Sequence, residues 1–100
     1  MKVVWTQTAI SHLTDIYEYI AGDSERYALR MVDRITSRTK QISSAPEFGQ
    51  IVPEYKDTKI RQIIERPYRI IYRVEADRAE VLAVVHGARD NPFVPETKRP

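Results

Sequence analysis

The sequence predicts an α+β fold: an N-terminal strand and an antiparallel helix hairpin packed on a mainly antiparallel sheet that three C-terminal strands complete. Residues 59–90 carry three apolar runs of strand length, separated by two turn signals. Residues 9–42 show apolar side chains at helical spacing, and a short β-branched run precedes them. The predicted order is therefore strand, helix, helix, strand, strand, strand, with the helix hairpin covering one face of the sheet.

Composition indicates one soluble domain. The 100 residues are 42 % hydrophobic and 30 % charged, and a chain of this length builds a single core. We expect residues 1–90 to form that domain and residues 91–100, with three prolines, to form a tail outside the sheet. The chain has no cysteine, which excludes disulfides, thiolate metal sites and thiol nucleophiles. No apolar run approaches the ~20 residues of a membrane span and no secretory signal is visible, so we expect a cytoplasmic protein.

The first two elements follow from local signals. Lys2–Thr6 is a β-branched run that predicts a strand, and the hydroxyl groups of residues 6–8 offer a helix N-cap. Apolar residues at helical spacing predict a helix from Ala9. Gly22 should end this helix in the left-handed conformation that is common at helix termini.

A second helix is predicted between a cap at Asp23 or Ser24 and a stop before Pro46. Because few residues separate the helices, they should form an antiparallel hairpin. The second helix also carries arginines at a spacing of four, which places them in one ridge: Arg26, Arg30, Arg34 and Arg38. This ridge is either a solvated face or a docking surface for an acidic peptide or nucleic acid.

A loop to about Thr58 follows, long enough for its length to suggest a function. Three strands are predicted after it, and in the second of them arginines alternate with apolar residues from Tyr68 to Val74, so one strand face should be apolar and the other basic. The last apolar run, Val81 to His86, is nearly continuous and predicts a central strand. We expect one face of the sheet to stay partly open and to carry a shared set of side chains: Arg61, Arg69, Arg73, Leu82, Val84 and His86.

Motifs of the common catalytic sites are absent. The sequence has no Gly-rich phosphate loop, no His pair at metal spacing and no nucleophile elbow, so we expect neither a cofactor nor a metal. What remains is a cluster of arginines suited to phosphate recognition: Arg61, Arg69, Arg73 and Arg89. With His86 to move a proton and Glu54 to accept one, this cluster meets the requirements of metal-free RNA cleavage. Alternatively, His86 is a structural strand-end residue and Arg69 and Arg73 are surface charges.

Two segments, PYRIIYRV (67–74) and VLAVVHGARD (81–90), resemble the ParE/RelE toxin superfamily, as do Ala45–Gly49, Pro53-Glu54 and Arg61. The resemblance implies a small toxin encoded beside an antitoxin, whose C-terminal segment wraps the toxin and neutralises it in a hetero-oligomer. The helix ridge, with Arg30 and Arg34, and the sheet arginines would then bind the antitoxin or the target.

The resemblance implies different targets for different branches. RelE-like members are ribosome-dependent endonucleases that cut mRNA, and by position Arg69, His86 and Glu54 match their site. Gly87 departs from that pattern, since a nuclease would need an aromatic residue there for base stacking. The HGARD ending is more similar to the ParE branch, whose members poison DNA gyrase by stabilising its cleaved DNA complex. We therefore expect a non-enzymatic gyrase inhibitor, with the mRNA endonuclease as the alternative.

Overall fold

Two helices and a five-stranded sheet make up residues 1–87, the part of the chain that the computed structural model describes. The elements are β1 (Lys2–Trp5), α1 (Gln7–Ala21), α2 (Glu25–Ser44), β2 (Gln50–Ile51), β3 (Ile60–Glu65), β4 (Tyr68–Val74) and β5 (Arg78–His86). The predicted α+β class and element order are confirmed, with the short β2 as an addition inside the predicted loop. The proposed domain end at residue 90 and the tail at 91–100 lie outside the described residues.

The helices begin at the predicted capping residues. The Thr6 hydroxyl accepts from Ala9 N at 3.2 Å, and the Ser24 hydroxyl accepts from Tyr27 N at 3.2 Å. The expected left-handed end at Gly22 is wrong, since its φ is −56°. Gly22 can keep a right-handed conformation at the end of α1 because the Asp23 and Ser24 amides both donate to Ile20 O and close the last turn. Within residues 1–87, neither helix has the length and apolar content needed to cross a membrane.

The sheet has the strand order β1-β5-β4-β3-β2. β1 and β5 pair in parallel, and the other pairs are antiparallel. β5 therefore has a neighbour on each side, as its continuous apolar sequence predicts. Thr6, between β1 and α1, binds β5, because its hydroxyl donates to Val81 O at 2.8 Å while its amide donates to the same oxygen at 3.1 Å.

The main core lies between the helix hairpin and the sheet. The predicted alternation in β4 is confirmed, because its even-numbered residues pack toward the helices. Arg69, Ile71 and Arg73 face the other way. The buried members of this core are Ala9, Ile16, Ile35, Ile42, Ile63, Tyr68, Ile70, Tyr72, Ala79, Val81 and Val84.

The second face of the sheet is not the open basic surface that we expected. It carries a smaller apolar cluster of Val52, Ile60, Ile71, Leu82 and Ala83, with Tyr55 and Val85 packed against it. The connection between β2 and β3, residues 52–59, supplies Val52 and Tyr55. This connection therefore covers part of the face that the helices leave free.

The predicted sharing of one face by three arginines and His86 is also wrong, and the strand register explains why. Directly paired residues point to the same face, and Arg61 pairs with Tyr72 while His86 pairs with Tyr68. Arg61 and His86 thus lie on the helix side, and Arg69 and Arg73 lie on the other side.

An irregularity in the β4–β5 pairing also separates Leu82 from Val84. Tyr72 pairs with Val81 and Ile71 with Ala83, which leaves Leu82 as an extra residue. The alternation of side chains between the two faces of the sheet is therefore interrupted in β5 at Leu82. Leu82 therefore packs in the second cluster while Val84 packs in the main core.

Candidate functional site

The sheet arginines hold the connection between α2 and β3. Arg61 Nη1 donates to Gly49 O at 2.9 Å and to Glu47 O at 3.2 Å. Because guanidinium groups carry several donors in a fixed fork, one arginine can bind two carbonyls of a loop. Arg61 thus fixes the loop that leads into β2.

Arg69 forms a clasp with Glu54 and Gln62 on the second face. Its Nη1 and Nη2 donate to the two Glu54 carboxylate oxygens at 3.0 and 2.9 Å, and its Nε donates to Gln62 Oε1 at 2.7 Å. The hydrogen bonds from Arg69 hold the pKa of the Glu54 carboxyl below its usual 4.5, against a smaller opposing effect of burial. The Arg69 side chain is only 12 % exposed, so most of its donor fork is directed at these two partners.

Arg73 lies further along the same face and is buried. Its Nε is 3.9 Å from Asp57 Oδ2, a distance that marks an ion pair and not a hydrogen bond. Arg69 and Arg73 therefore both contact acidic residues of the 52–59 connection. Both arginines were considered above as surface charges; the structure instead pairs Arg69 with Glu54 and Arg73 with Asp57, and Arg73 is buried.

Tyr72 anchors the same connection from the helix side, a role that the sequence analysis missed. Its buried hydroxyl donates to Pro46 O at 2.7 Å and accepts from Gly49 N at 2.9 Å. Burial raises the pKa of Tyr72, and the hydrogen bond from Gly49 opposes this only partly. A signal was present in the sequence, because a core tyrosine needs a hydrogen-bond partner for its hydroxyl.

Gly49 is required by this contact. A Cβ atom at Gly49 would lie 2.5 Å from Tyr72 Oη and 2.7 Å from Gln62 O. Both distances are far below van der Waals contact, and Gln62 O belongs to the backbone of β3. No other residue type fits where the loop passes over β3 and β4.

His86 lies away from the arginine clasp, on the opposite face of the sheet. Its ring makes an edge contact with Tyr68, with centroids 5.7 Å apart. It lines a groove of about 530 Å³ between α1 and the ends of β4 and β5, together with His12, Asp15, Ile16, Tyr19, Ile20, Met31, Pro67, Tyr68 and Val84. Of the predicted nuclease set, the structure therefore brings Glu54 and Arg69 together and leaves His86 apart.

Gly87 stands at the strand end on the side of Arg69. A Cβ atom built there would lie 3.4 Å from Arg69 Cγ and 3.2 Å from Pro67 O. A cleft of about 420 Å³ opens beside it, lined by Ile64, Arg66, Pro67, Tyr68, Arg69 and Gly87. The position nearest to Arg69 at this strand end thus offers no side chain for chemistry.

The predicted arginine ridge on α2 divides into two parts. Arg34 Nε and Arg38 Nε approach the carboxylate of Glu65 at 3.6 and 3.5 Å, and Arg38 also lies over the Phe48 ring. Arg30 lies over the exposed ring of Tyr27, at 5.9 Å from its centroid. Arg26 and Arg30 thus belong to an outward surface, whereas Arg38 is directed toward the sheet.

Two further expectations concern metals and the chain end. Among residues 1–87, no group of three or more His, Cys, Asp or Glu side chains could hold a metal ion. Arg89, expected among the binding residues, lies outside the described residues.

Comparison with known proteins identifies the family. A family described as the ParE toxin of the type II toxin-antitoxin system parDE matches residues 3–91. The chain belongs to the ParE toxin family. Toxin RelE2 of Caulobacter vibrioides is 31 % identical over 88 residues, which are 88 % of this chain and 97 % of that protein.

Solved structures agree with this assignment. A chain of the chromosomal ParDE system from P. aeruginosa superimposes with a TM-score of 0.72 and 25 % identity, over 86 % of this chain and 95 % of that chain. YoeB from Staphylococcus aureus, solved as a dimer, gives a TM-score of 0.59 over the same shares at 15 % identity, which indicates a common fold. This ParE-family chain is thus a toxin of the ParE/RelE superfamily, and toxins of such systems pair with a cognate antitoxin.

Proposed function

We propose that this toxin acts by binding DNA gyrase and stabilising its cleaved DNA complex, in the cytoplasm and without a cofactor. The observation that carries the proposal is the position of His86, which is separated from Glu54 and Arg69 by the sheet itself. A toxin that binds its target needs no acid and base at one point. A nuclease does.

Chemistry favours binding over cleavage at the Arg69 clasp. General acid and general base must both come within hydrogen-bond reach of the reacting atoms. Here Glu54 is held by Arg69, and the nearest strand-end position on the same face is Gly87. Arg69 would also have to exchange its bidentate contact with Glu54 for a phosphate, which adds a cost to RNA binding.

The alternative is a ribosome-dependent mRNA endonuclease that uses Arg69 and His86 with Glu54 as the base. The observation in its favour is the direct contact between Glu54 and Arg69, since Arg69 also lines the cleft beside Gly87. For this function the RNA would have to contact both faces of the strand end, because His86 lies on the face opposite to Glu54 and Arg69.

The toxin is proposed to be neutralised by a cognate antitoxin in a hetero-oligomer. The arginines best placed for such a partner are Arg30, stacked on the exposed Tyr27, and Arg34, whose side chain is 62 % exposed. Arg61, Arg69 and Arg73 are engaged within the chain. Their proposed part in binding is therefore indirect, through the shape of the 45–59 connection.

Two assays on one preparation separate the targets. Purified toxin is added to gyrase with supercoiled plasmid, and separately to ribosomes translating a defined mRNA. We expect trapped cleaved plasmid and lost supercoiling at micromolar toxin, intact mRNA, and reversal by the antitoxin. Intact supercoiling activity together with mRNA cut at the ribosome would overturn the proposal.

The variant that separates the two functions is His86→Ala, at a position outside the main core cluster. His86→Ala should leave gyrase inhibition unchanged, because no chemistry is assigned to the imidazole. If His86→Ala abolishes toxicity while its circular dichroism spectrum stays native, that result would support the endonuclease hypothesis against gyrase inhibition.

A further inference from the structure

The groove of about 530 Å³ between α1 and the ends of β4 and β5, here called the α1–β5 groove, presents apolar side chains to solvent. Tyr19, which lines it, is 81 % exposed, and Ile20 and Met31 are partly exposed. Its volume falls within the ~300–1,000 Å³ typical of ligand sites. A concave apolar surface of this kind on a small domain marks a place where another group binds.

The described part of the chain ends at this groove. β5 ends at His86, whose ring lines the groove and makes the edge contact with Tyr68. Gly87 N donates to Pro67 O at 2.7 Å, so the antiparallel pairing with β4 extends one residue past β5. Residues 88–100 therefore begin beside the α1–β5 groove.

The sequence of residues 88–100 contains a single aromatic residue, Phe93, which stands with Val94 between two prolines. Each proline fixes its own φ and favours an extended conformation in the residue before it. Residues 91–95 are thereby predisposed to an extended form without a partner strand, and less conformational freedom is lost when such a segment binds. Phe93 offers this segment a large apolar side chain for an apolar site.

The length of the connection lets Phe93 reach the whole groove. It follows His86 by seven positions, and an extended chain spans ~3.3–3.6 Å per residue. The side of the groove formed by α1 runs from His12 to Ile20, which is about 12 Å at ~1.5 Å per helical residue. The connection is therefore about twice as long as the groove.

The charge of the groove suits the same segment. Among the described residues, its lining includes the carboxylate of Asp15 and no lysine or arginine. Arg89 follows His86 by three positions, and residues 88–100 carry three basic and two acidic side chains. Opposite charges beside an apolar contact favour one orientation of docking over others.

We propose that residues 91–95 of the same chain dock in the α1–β5 groove, with Phe93 against the rings of Tyr68 and His86. Aromatic rings favour edge contacts with one another, as these two rings already show. Attachment to β5 selects this occupant, because a short linker gives an effective concentration in the millimolar range, far above that of a second copy or a free partner. The groove is then covered from within the chain, whichever target the toxin acts on.

The two methionines give a direct readout of this docking. Met31 lines the α1–β5 groove, whereas Met1 lines a different groove beside β1 and serves as an internal reference. Phe93→Leu keeps an apolar side chain but removes the ring current, so it should shift the methyl resonance of Met31 and leave that of Met1 in place. The matched control is Phe48→Leu, at a residue that is 56 % exposed and does not line the groove; it should shift neither resonance.

A spin label tests whether the contact lies within one molecule. The chain has no cysteine of its own, so Val94→Cys takes the label at one place. Docking should broaden the Met31 methyl resonance strongly and that of Met1 weakly, and Phe93→Ser added to the labelled chain should restore Met31. A mixture of spin-labelled chain without isotope and isotope-labelled natural chain should keep both resonances sharp.

An unshifted Met31 resonance in Phe93→Leu would overturn the inference, and so would equal broadening with and without Phe93. Broadening of Met31 in the mixed sample would make a second copy of the chain the occupant. A Met31 resonance that ignores Phe93→Leu and shifts only when the cognate antitoxin is added would make that partner the occupant. Neither measurement uses gyrase or ribosomes, so failure of the proposed target and failure of this docking remain distinct.

Discussion

Replacing Tyr72 with phenylalanine removes one oxygen atom from the contact that fixes the α2–β3 connection to the sheet. The ring stays in the main core, where Tyr72 has no exposed surface. What is lost is the donation to Pro46 O and the acceptance from Gly49 N. The substitution therefore tests hydrogen bonding with little change in packing.

The expected cost follows from the number and burial of these bonds. Each net hydrogen bond contributes about 1 kcal/mol, and a buried donor left unpaired costs a further ~1–3 kcal/mol. For Tyr72→Phe, which loses two bonds and leaves the Gly49 amide unpaired, we expect a loss of about 3–5 kcal/mol in the free energy of unfolding. In a domain of this size that corresponds to a fall in Tm on the order of 10–40 °C.

Urea unfolding followed by Trp5 fluorescence measures this loss. The control is Tyr19→Phe, whose side chain is 81 % exposed and which should change stability by less than ~0.5 kcal/mol. A loss below about 1 kcal/mol for Tyr72→Phe, at unchanged m-value, would refute the view that the hydroxyl fixes the connection.

Alkaline pH gives a second test of the same residue. The pKa of Tyr72 is raised above its usual 10.0 in the folded state. The folded protein therefore keeps the proton when the unfolded chain releases it, so this contribution is intact below pH 10 and is lost as pH rises. The stability gap between the natural protein and Tyr72→Phe should narrow above pH 10.

Two further substitutions test the clasp and the loop. Glu54→Gln should cost up to about 1 kcal/mol at pH 7. Because the pKa of Glu54 lies below 4.5 in the folded state, this advantage of the natural protein should vanish as pH falls through that folded value; equal acid sensitivity in urea unfolding would contradict the clasp. Gly49→Ala should cost ~2 kcal/mol or more through overlap with Tyr72 and Gln62. Gly22→Ala, where the nearest atom is 3.4 Å away and φ is −56°, should be neutral or slightly stabilising; equal thermal stability of the two alanine variants would refute the overlap.

Local periodicity and capping predict most of the fold. The Thr6 and Ser24 caps, the end of α2 before Pro46 and the alternation in β4 all depend on neighbours within a few residues, which a sequence displays directly. Local patterns do not predict β2, because it has only two residues and is ordered by its pairing with β3.

The candidate site was predicted less well, because it depends on register. A one-residue difference in pairing moves a side chain to the other face, and Arg61 and His86 were assigned to the wrong face for that reason. The irregularity near Leu82 then breaks parity within β5 itself. Glu54 and Arg69 were named together as candidates, but their contact spans a loop and a strand that no local pattern connects.

The parallel pairing of β1 with β5 sets an order for the folding of this chain. Lys2 pairs with Arg78, so the first strand meets its partner only after most of the chain has been made. During synthesis Val3 and Trp5 have no partner strand until β5 is made. The α1–α2 and β3–β4 contacts join neighbouring elements and can form earlier. The sheet is therefore complete only after β5 has been synthesised, so β1, the first strand to be made, gains its partner strand late.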